Sequence, residues 1–438
     1  MDNRNNTYAE QLSKLIQMET ISSDQQRDKT KFYEFQDLLK QIFPGIYSQC
    51  LAEDFHGSFL LRWPGTGEEE PIMLMNHHDV VEAPGAWQYP PFSGVIADRK
   101  LWGRGTLDTK SGLWAMLRAA NELAENGYKP KRDIYFMSTC NEETDGSGAE
   151  EISRTLAERN IHFYMVLDEG GMILHEPISG ANGTYALIGL GEKGCVDLKF
   201  IARSAGGHAS TPGKNTPLVR LGKFMAEVDR SNIFSTNISP VVAQMYKRIS
   251  WSMKQPMRFI LGHPGLFKKA LCRIIPDISP SAGAMLKTTI AFTMANGSAG
   301  FNVLPQEAWV IGNMRFSHHQ GEKDSIYAIK KLAEKYDIET VVLEPGFTSP
   351  LSDYNTEAFR LVERALDHVL PGVIPAPYVM NGASDCRFMS RVSENCFRFT
   401  PFLISEKQMD SIHGLDENID IKVLAPAVDF YKYIITEA

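Results

Sequence analysis

Three short apolar runs, each closed by polar residues, constrain the fold of this chain most strongly. PIMLM (71–75) ends in NHHD, DIYFMST (133–139) ends in CNEE, and FYMVL (163–167) ends in DEGG. Apolar runs of this length between polar residues are typical of buried strands. Between the first two runs, residues 111–127 repeat their apolar positions at the spacing of one helix face. Alternating strands and helices predict an α/β fold, with helices on both faces of a mostly parallel central sheet.

A second pattern begins near Gly189 and is typical of a smaller domain. Its strands and helices follow the order β-α-β-β-α-β, over residues 195–203, 216–230, 288–295, 307–316, 324–336 and 339–345. This order is the split βαβ arrangement of a compact two-layer domain. Because an α/β pattern resumes downstream, we predict an inserted domain at 189–347, within a first domain formed by residues 1–188 and 348–438. Residues 233–286 are an apolar, proline-containing insertion in the second domain.

Charge and cysteine usage narrow the range of partners. The 438 residues carry a formal net charge of −8, which argues against nucleic acid or an anionic membrane as the main partner. No run of 18 apolar residues occurs, so no membrane span is predicted, and the first residues lack the apolar core of a signal peptide. The six cysteines are scattered without a CxxC pair, which is typical of reduced thiols in a cytoplasmic protein.

The polar residues at the ends of the apolar runs form a candidate metal site. Together with one acid that precedes the predicted helix, they are His77, Asp79, Asp108, Glu142, Glu143 and Asp168. Sites in open α/β sheets form at the carboxyl ends of the strands, so these residues are expected to converge. Histidine and carboxylates without cysteine suit zinc or another divalent ion. Six candidates exceed the needs of one tetrahedral ion, so two ions that share a carboxylate would use them better.

Each of these motifs also has a plainer explanation when it is taken alone. An HxD triplet and a pair of surface glutamates are common by chance. Asp108 is equally suited to capping its helix, and Asp168 to ending a strand. The repeated placement of such residues at strand ends favours a common site.

Ten motifs in chain order resemble one enzyme family. They are NHHDVV, WQYPPFSGVI, LWGRGTLDTKSG, NEETDGSGAEEI, LDEGG, GGHASTP, FNVLP, NMRF, GASD and HGLDE. This set resembles the co-catalytic zinc peptidase family of carboxypeptidase S, aminoacylase and glutamate carboxypeptidase. It is most similar to the branch of carboxypeptidase S and the N-acyl amino acid hydrolases. The resemblance extends from about residue 8 to the end of the chain, and implies a catalytic domain with an inserted lid and dimerisation domain.

The resemblance implies two Zn²⁺ per subunit, with Co²⁺ or Mn²⁺ as substitutes. His77 and Asp168 would bind one ion, Glu143 and His413 the other, and Asp108 would bridge the two. These assignments rest on the matching motifs NHHD, LDEGG, NEE, HGLDE and GTLD.

The resemblance also assigns two carboxylates that are not ligands. Asp79 would orient the ring of His77. Glu142 would act as general base, which takes a proton from the attacking water and gives it to the leaving amine.

Four residues farther along the chain resemble one further catalytic residue and three substrate-binding groups of the family. His208 of GGHASTP would stabilise the oxyanion of a partner subunit's site, across a homodimer interface. Asn302 of FNVLP, Arg315 of NMRF and the backbone of Gly382 would hold the free carboxylate of the substrate. Read without the family, His208 is a polar loop histidine and Arg315 a solvated strand arginine.

The sequence departs from the family pattern at several positions. Asn76 replaces the usual glycine before the metal histidine, and His78 follows that histidine directly. Residues 381–385 read NGASD where the family has Gly-Gly-Thr-Asp, Asp416 replaces an asparagine, and Thr109 replaces a second acid. These departures leave every expected ligand and the base in place, so an active enzyme is expected.

The leading hypothesis is therefore zinc-dependent hydrolysis of an amide bond next to a free carboxylate. The substrate would be a small peptide or an N-acyl amino acid. A desuccinylase or deacetylase of a polar amino acid intermediate is the alternative reaction, and a catalytically silent metal-binding protein or a closed structural zinc site is the alternative class. The insertion 233–286 would line a pocket for a fatty acyl chain or apolar side chain, or else pack as a lid or dimer surface.

Overall fold

The computed structural model describes residues 3–23, 28–343 and 346–438. The helices in these ranges are α1 (Asn3–Ile16), α2 (Thr30–Ile42), α3 (Pro44–Tyr47), α4 (Lys110–Glu125), α5 (Ser147–Glu158), α6 (Pro217–Arg230), α7 (Pro240–Ser250), α8 (Met257–Gly262), α9 (Lys268–Ile278), α10 (Pro280–Ala284), α11 (Gly321–Glu334), α12 (Glu357–Val369), α13 (Cys386–Met389), α14 (Glu406–Met409) and α15 (Leu424–Glu437). The strands are β1 (Leu51–Phe55), β2 (Ser58–Trp63), β3 (Ile72–His77), β4 (Ile96–Ala97), β5 (Lys100–Trp102), β6 (Ile134–Thr139), β7 (Met165–Asp168), β8 (Ile173–His175), β9 (Thr184–Glu192), β10 (Gly194–Arg203), β11 (Gly207–His208), β12 (Thr289–Asn296), β13 (Val303–Leu304), β14 (Glu307–Phe316), β15 (Glu339–Val342), β16 (Ile374–Met380), β17 (Cys396–Arg398), β18 (Leu403–Ile404) and β19 (Asn418–Asp420).

The large sheet has the strand order β1-β2-β6-β3-β7-β17-β9-β8-β18, with β16 beside β9. Its centre, from β6 through β3 and β7 to β17, is parallel, and the three predicted apolar strands lie there. Antiparallel pairs join β1, β2 and β6 on one side and β17, β9 and β8 on the other. The sheet is therefore mixed, and the predicted parallel arrangement describes its centre.

The central strands are buried along their whole length because helices cover both faces. Ile72 and Leu74 of β3 pack in one apolar cluster with α4 and α15. Met73 and Met75 point to the other face and pack with α5 and α13. The α/β/α sandwich predicted from the sequence is confirmed.

The helix predicted between the first two strands is α4. Its buried face includes Leu113, Met116 and Leu117, which recur at helical spacing. The chain leaves the helix at Gly127, whose positive φ of 75° suits a residue without a side chain. Because α4 begins at Lys110, the preceding Asp108 lies at the same edge of the sheet as the ends of β3 and β6.

The smaller sheet has the order β12-β14-β10-β15 and is antiparallel throughout. Helices α6 and α11 pack on it through Phe224 and Leu332, against Phe200 of β10. The predicted β-α-β-β-α-β order is thus found. The last predicted strand ends at Val342, and residues 344–345 of its predicted range lie outside the described residues. The domain boundaries stay a prediction.

The insertion 233–286 packs mainly on the large sheet, although it was expected to belong to the smaller domain. Val242, Met245 and Tyr246 of α7 join the apolar cluster of α4 and α15, and α7 lies along β16. The hydroxyl of Tyr185 on β9 donates to the carbonyl of Ile249, 3.2 Å away. Within the described ranges, no helix combines the length and apolar content required for crossing a membrane.

Candidate active site

The predicted site residues meet at the carboxyl edge of the parallel strands. His77 is the last residue of β3 and pairs with Thr139, the last residue of β6. The NEE segment follows β6 directly, and Asp168 ends β7 on the other side of β3. The parallel register therefore explains why motifs that are far apart in the sequence lie together.

Three of the expected ligands form a compact group. One ligand atom each from His77, Asp108 and Glu143 lies within 4.8 Å of the other two. Asp108 lies between two imidazoles, with Oδ1 2.9 Å from His77 Nε2 and Oδ2 3.1 Å from His413 Nε2. His413 Nε2 is also 3.0 Å from Glu143 Oε2. A carboxylate with one oxygen toward each histidine has the arrangement expected of a bridging ligand.

Asp168 lies outside that compact group but at the same sheet edge. It is 2% exposed, and its Oδ2 accepts the backbone N–H of Cys386 at 2.9 Å. Burial raises the pKa of Asp168 to about 6, against hydrogen bonds and the nearby Arg398 that favour the charged form.

Asp79 organises more of the site than the ring of His77. One of its oxygens lies 3.4 Å from His77 Nδ1. The same carboxylate accepts the backbone N–H groups of Glu142 and Glu143, each at 3.1 Å, and the hydroxyl of Ser22 at 2.6 Å. Asp79 thus fixes the turn that directs the two adjacent glutamates.

Several carboxylates lie close together in the site, with limited access to solvent. Burial raises the pKa of Glu142 well above its usual value, and the nearby Asp385, Glu143 and Asp108 raise it further against the opposing effect of His77. Burial likewise raises the pKa of Glu143. Crowded carboxylates of this kind are costly without compensating positive charge.

The neighbouring carboxylates raise the pKa of both His77 and His413. Hydrogen bonds to Asp108 and Glu143 raise the pKa of His413 to about 10. Burial opposes protonation of His77, yet its hydrogen bonds to Asp108 and Asp79 hold its pKa well above the usual value. A nitrogen and oxygen donor set with this charge fits divalent cations, which would replace the protons on the two rings.

The adjacent His78 belongs to the apolar core and points away from the ligand group. Its ring stacks on Phe35 with centroids 5.1 Å apart and an interplanar angle of 4°. Nδ1 lies 2.8 Å from Ser138 Oγ, and burial lowers the pKa of His78 to about 3. The preceding Asn76 accepts the Thr109 hydroxyl at 2.9 Å, so it ties β3 to the segment that carries Asp108.

Glu417, which the motifs did not single out, positions the backbone segment that carries Asp108. Glu417 is fully buried and pairs with Arg104 at 2.6 Å. It also accepts the backbone N–H groups of Leu107 at 2.7 Å and of Gly105 and Asp108 at 3.2 Å each. The signal was present, because GRGTLD and HGLDE each contain one half of a charge pair.

The four residues expected to stabilise the oxyanion or hold the substrate's carboxylate have other contacts than the expected metal ligands. His208 is exposed on β11 and pairs with β13, and the carbonyl of Asn302 accepts the N–H of Ala209 at 2.9 Å. Arg315 on β14 donates to Asn313, and Gly382 is exposed after β16. Across residues 3–23, 28–343 and 346–438, no hydrogen bond or ion pair joins these four residues to the ligand group.

Comparisons with known proteins show which family and fold this chain resembles. A model of peptidase family M20/M25/M40 matches residues 73–437. The probable carboxypeptidase S-like 2 of Dictyostelium discoideum is 30% identical, over 98% of this chain and 84% of that protein. The N-fatty-acyl-amino acid synthase/hydrolase PM20D1 of Homo sapiens is 29% identical, over 98% and 87%. The structure of an M20 family metallo-carboxypeptidase from Sulfolobus solfataricus has the same fold, with a TM-score of 0.71, 16% identity and 99% coverage of both chains.

Proposed function

The chain belongs to peptidase family M20/M25/M40 and is a metal-dependent hydrolase of amide or peptide bonds, and we propose that its substrates are small peptides or N-acyl amino acids with a free carboxylate. The observation that carries the hydrolytic chemistry is the partly buried Glu142 beside the group of His77, Asp108, Glu143 and His413. The carboxypeptidase S-like and N-fatty-acyl-amino acid relatives support the substrate class.

We propose two zinc ions, held by the residues at the sheet edge. His77 and Asp168 would hold one, His413 and Glu143 the other, with Asp108 between them. Such a pair supplies Lewis acidity for the substrate carbonyl and lowers the pKa of a water. The protein supplies the geometry, because Asp79 and Glu417 fix the segments that carry these ligands.

Glu142 is the proposed general base. Its raised pKa favours proton uptake at its carboxylate from the attacking water and later release of that proton to the leaving amine. Its backbone N–H is held by Asp79, so the side chain is aimed by the same residue that aims His77.

Arg315 is the proposed anchor for the substrate's carboxylate, with Asn302 and the backbone of Gly382. Arg315 forms no ion pair with a carboxylate in the part of the chain that the structure describes. Burial, with repulsion from Arg315 and Lys287, lowers the pKa of Lys193 to about 7. Positive charge is therefore in excess beside Arg315, which suits an incoming carboxylate.

A homodimer through the smaller sheet would allow His208 to act on a partner's site. β12 is an edge strand of that sheet, and its Met294 is 58% exposed. Val303, paired with His208, is 50% exposed. Exposed apolar groups at the open edge of a sheet favour association. The expected cytoplasmic location stays a prediction.

The proposed function is tested by a hydrolysis screen of dipeptides, N-fatty-acyl, N-acetyl and N-succinyl amino acids. Each substrate is paired with its C-terminal amide, which lacks the free carboxylate. We expect turnover of the free acids only, loss of turnover with a chelator and recovery with zinc. Equal turnover of the amides would contradict the carboxylate anchor, and turnover that resists chelation would contradict the metal mechanism.

A further inference from the structure

Residues 247–278 present large apolar side chains to solvent, and we call this segment the basic apolar surface. Its exposed apolar residues are Trp251, Met257, Phe259, Leu266, Ile274 and Ile278. Leu266 and Ile278 are 73% and 75% exposed, so little of either side chain packs against the rest of the protein. Large exposed apolar side chains concentrated in one segment of a folded protein are typical of an interaction site.

Helix α9 has apolar side chains on two faces, one packed on the core and one exposed to solvent. Leu271 and Ile275 face inward and pack with the core of the large sheet. Ile274 and Ile278 lie one turn apart on the outward side, at 51% and 75% exposure. A surface helix needs one apolar face for packing, so the second apolar face has no partner within the described chain.

The charge of the segment is opposite to that of the protein. Residues 247–278 contain seven lysines and arginines and a single acid, Asp277, whereas the whole chain carries −8. The exposed cations are Lys247, Lys254, Arg258, Lys268, Lys269 and Arg273. In the described residues none of these six forms an ion pair, and Arg248 alone is paired, with Glu363.

We propose that the basic apolar surface docks on the surface of an anionic phospholipid bilayer. Exposed apolar side chains between unpaired cations match an interface in which acyl chains lie beneath negatively charged headgroups. A symmetric contact between two copies of the surface would oppose cation to cation, which disfavours a second copy as the occupant. Because the acidic residues lie elsewhere, the negative net charge of the whole chain gives no indication of this local positive charge.

The surface adjoins the proposed substrate-binding side, and this step rests on the proposed function. Helix α10 follows α9 directly, and the carbonyl of Ser281 in α10 accepts the side-chain N–H of Asn381, next to Gly382, at 3.0 Å. Burial lowers the pKa of His319, and the nearby charges of Lys268 and Lys193 lower it further. Docking would therefore bring the enzyme to amphiphilic N-acyl amino acids dissolved in the bilayer.

The test is cosedimentation of the full chain with phosphatidylcholine vesicles, with and without phosphatidylglycerol. We expect binding only to the anionic vesicles, weakened by salt. Ile274→Ser/Ile278→Ser and Lys268→Glu/Lys269→Glu should each weaken binding by about tenfold or more. The controls Leu51→Ser and Lys330→Glu/Lys331→Glu change exposed residues of the same types elsewhere and should bind like the wild type.

Failure of this proposal is distinguishable from failure of the proposed function. Vesicle binding is measured without turnover, and hydrolysis of a water-soluble dipeptide should be unchanged in all four variants. Absence of wild-type binding to anionic vesicles, or equal loss in the control variants, would overturn the docking surface. Variants that change the oligomeric state in gel filtration, without any vesicle binding by the wild type, would assign the surface to contact between copies.

Discussion

The carboxylate of Asp79 is fully buried and joins the two halves of the site. It lies beside His77 Nδ1 and accepts the N–H groups of Glu142 and Glu143. Residues 142–145 form a turn after β6, and Asp79 accepts the N–H groups of both glutamates, so one carboxylate fixes the backbone that carries two residues with different proposed tasks. The prediction that Asp79 orients His77 understated its contacts.

Asp79→Asn should therefore impair both the ligand and the base. The neutral amide presents one acceptor atom instead of two, so it cannot hold both N–H groups in the same way. We expect kcat/KM to fall by about 10–100-fold, with weaker zinc retention during dialysis. Ser22→Ala, which removes a single hydrogen bond to Asp79, is the matched control and should have a smaller effect. Unchanged kinetics in Asp79→Asn would contradict this role.

Glu417 supports the segment that carries Asp108, so its replacement should lower the stability of the fold more than the rate of the reaction. Glu417→Gln leaves Arg104 buried without its partner. We expect a loss of about 3–5 kcal/mol in the free energy of unfolding, measured with urea. The double variant Glu417→Gln/Arg104→Gln should lose less than the sum of the single variants. Additive losses would show that the pair is not coupled.

At the scale of elements, Glu122 of α4 ties three helices together. It accepts hydrogen bonds from Tyr8 of α1, Arg118 of α4 and Lys432 of α15. Burial alone would raise its pKa, but the hydrogen bonds from Lys432, Tyr8 and Arg118 lower it to about 2. The helices that cover one face of the central strands are thus joined by one carboxylate.

This network predicts a pH dependence of stability. A carboxylate with a folded pKa of about 2 and an ordinary value of 4.5 stabilises the fold above pH 4.5, and that contribution is lost as the pH falls toward 2. Allowing for solvent screening, Glu122→Gln should cost roughly 1–2 kcal/mol at pH 7 and progressively less below pH 4.5. Thermal unfolding from pH 7 to 3 tests this, with the exposed Glu125→Gln as control. A gap between variant and wild type that widens in acid would contradict it.

Elements with a strong local pattern were predictable, and elements defined by long-range pairing were not. β3, β6 and β7 are short apolar runs, and α4 repeats at helical spacing, so local sequence specifies them. The pairing of β16 with β9, across an intervening domain, has no local signal. The placement of α7 on the large sheet likewise depends on apolar matching between distant segments.

The same distinction applies within the site. The convergence of His77, Asp108 and Glu143 followed from strand ends at one edge. The NHHD motif assigned His77 as the ligand, whereas the stacking of His78 on Phe35 and the contact of Glu417 with a distant loop had no sequence signal of their own. Such choices are made by tertiary packing, which motif spacing does not contain.

At the scale of the whole molecule, the proposed homodimer predicts complementation between subunits, because the exposed His208 would serve the partner's site. His208→Ala and Glu142→Gln subunits should each be inactive alone. In a mixed dimer, one site has an intact base and receives the partner's histidine, so random exchange should restore about a quarter of wild-type turnover. Native mass spectrometry verifies the exchange. Mixed dimers without activity would contradict action across the interface.

The central claim is that two adjacent glutamates divide the chemistry, with Glu143 holding metal and Glu142 moving the proton. The most direct measurement is zinc content and turnover in parallel for Glu142→Gln and Glu143→Ala. We predict that Glu142→Gln keeps about two zinc ions per chain and loses roughly 10²–10⁴-fold in kcat, whereas Glu143→Ala loses metal as well as turnover. Near wild-type turnover in Glu142→Gln, or a full complement of zinc in Glu143→Ala, would contradict the account.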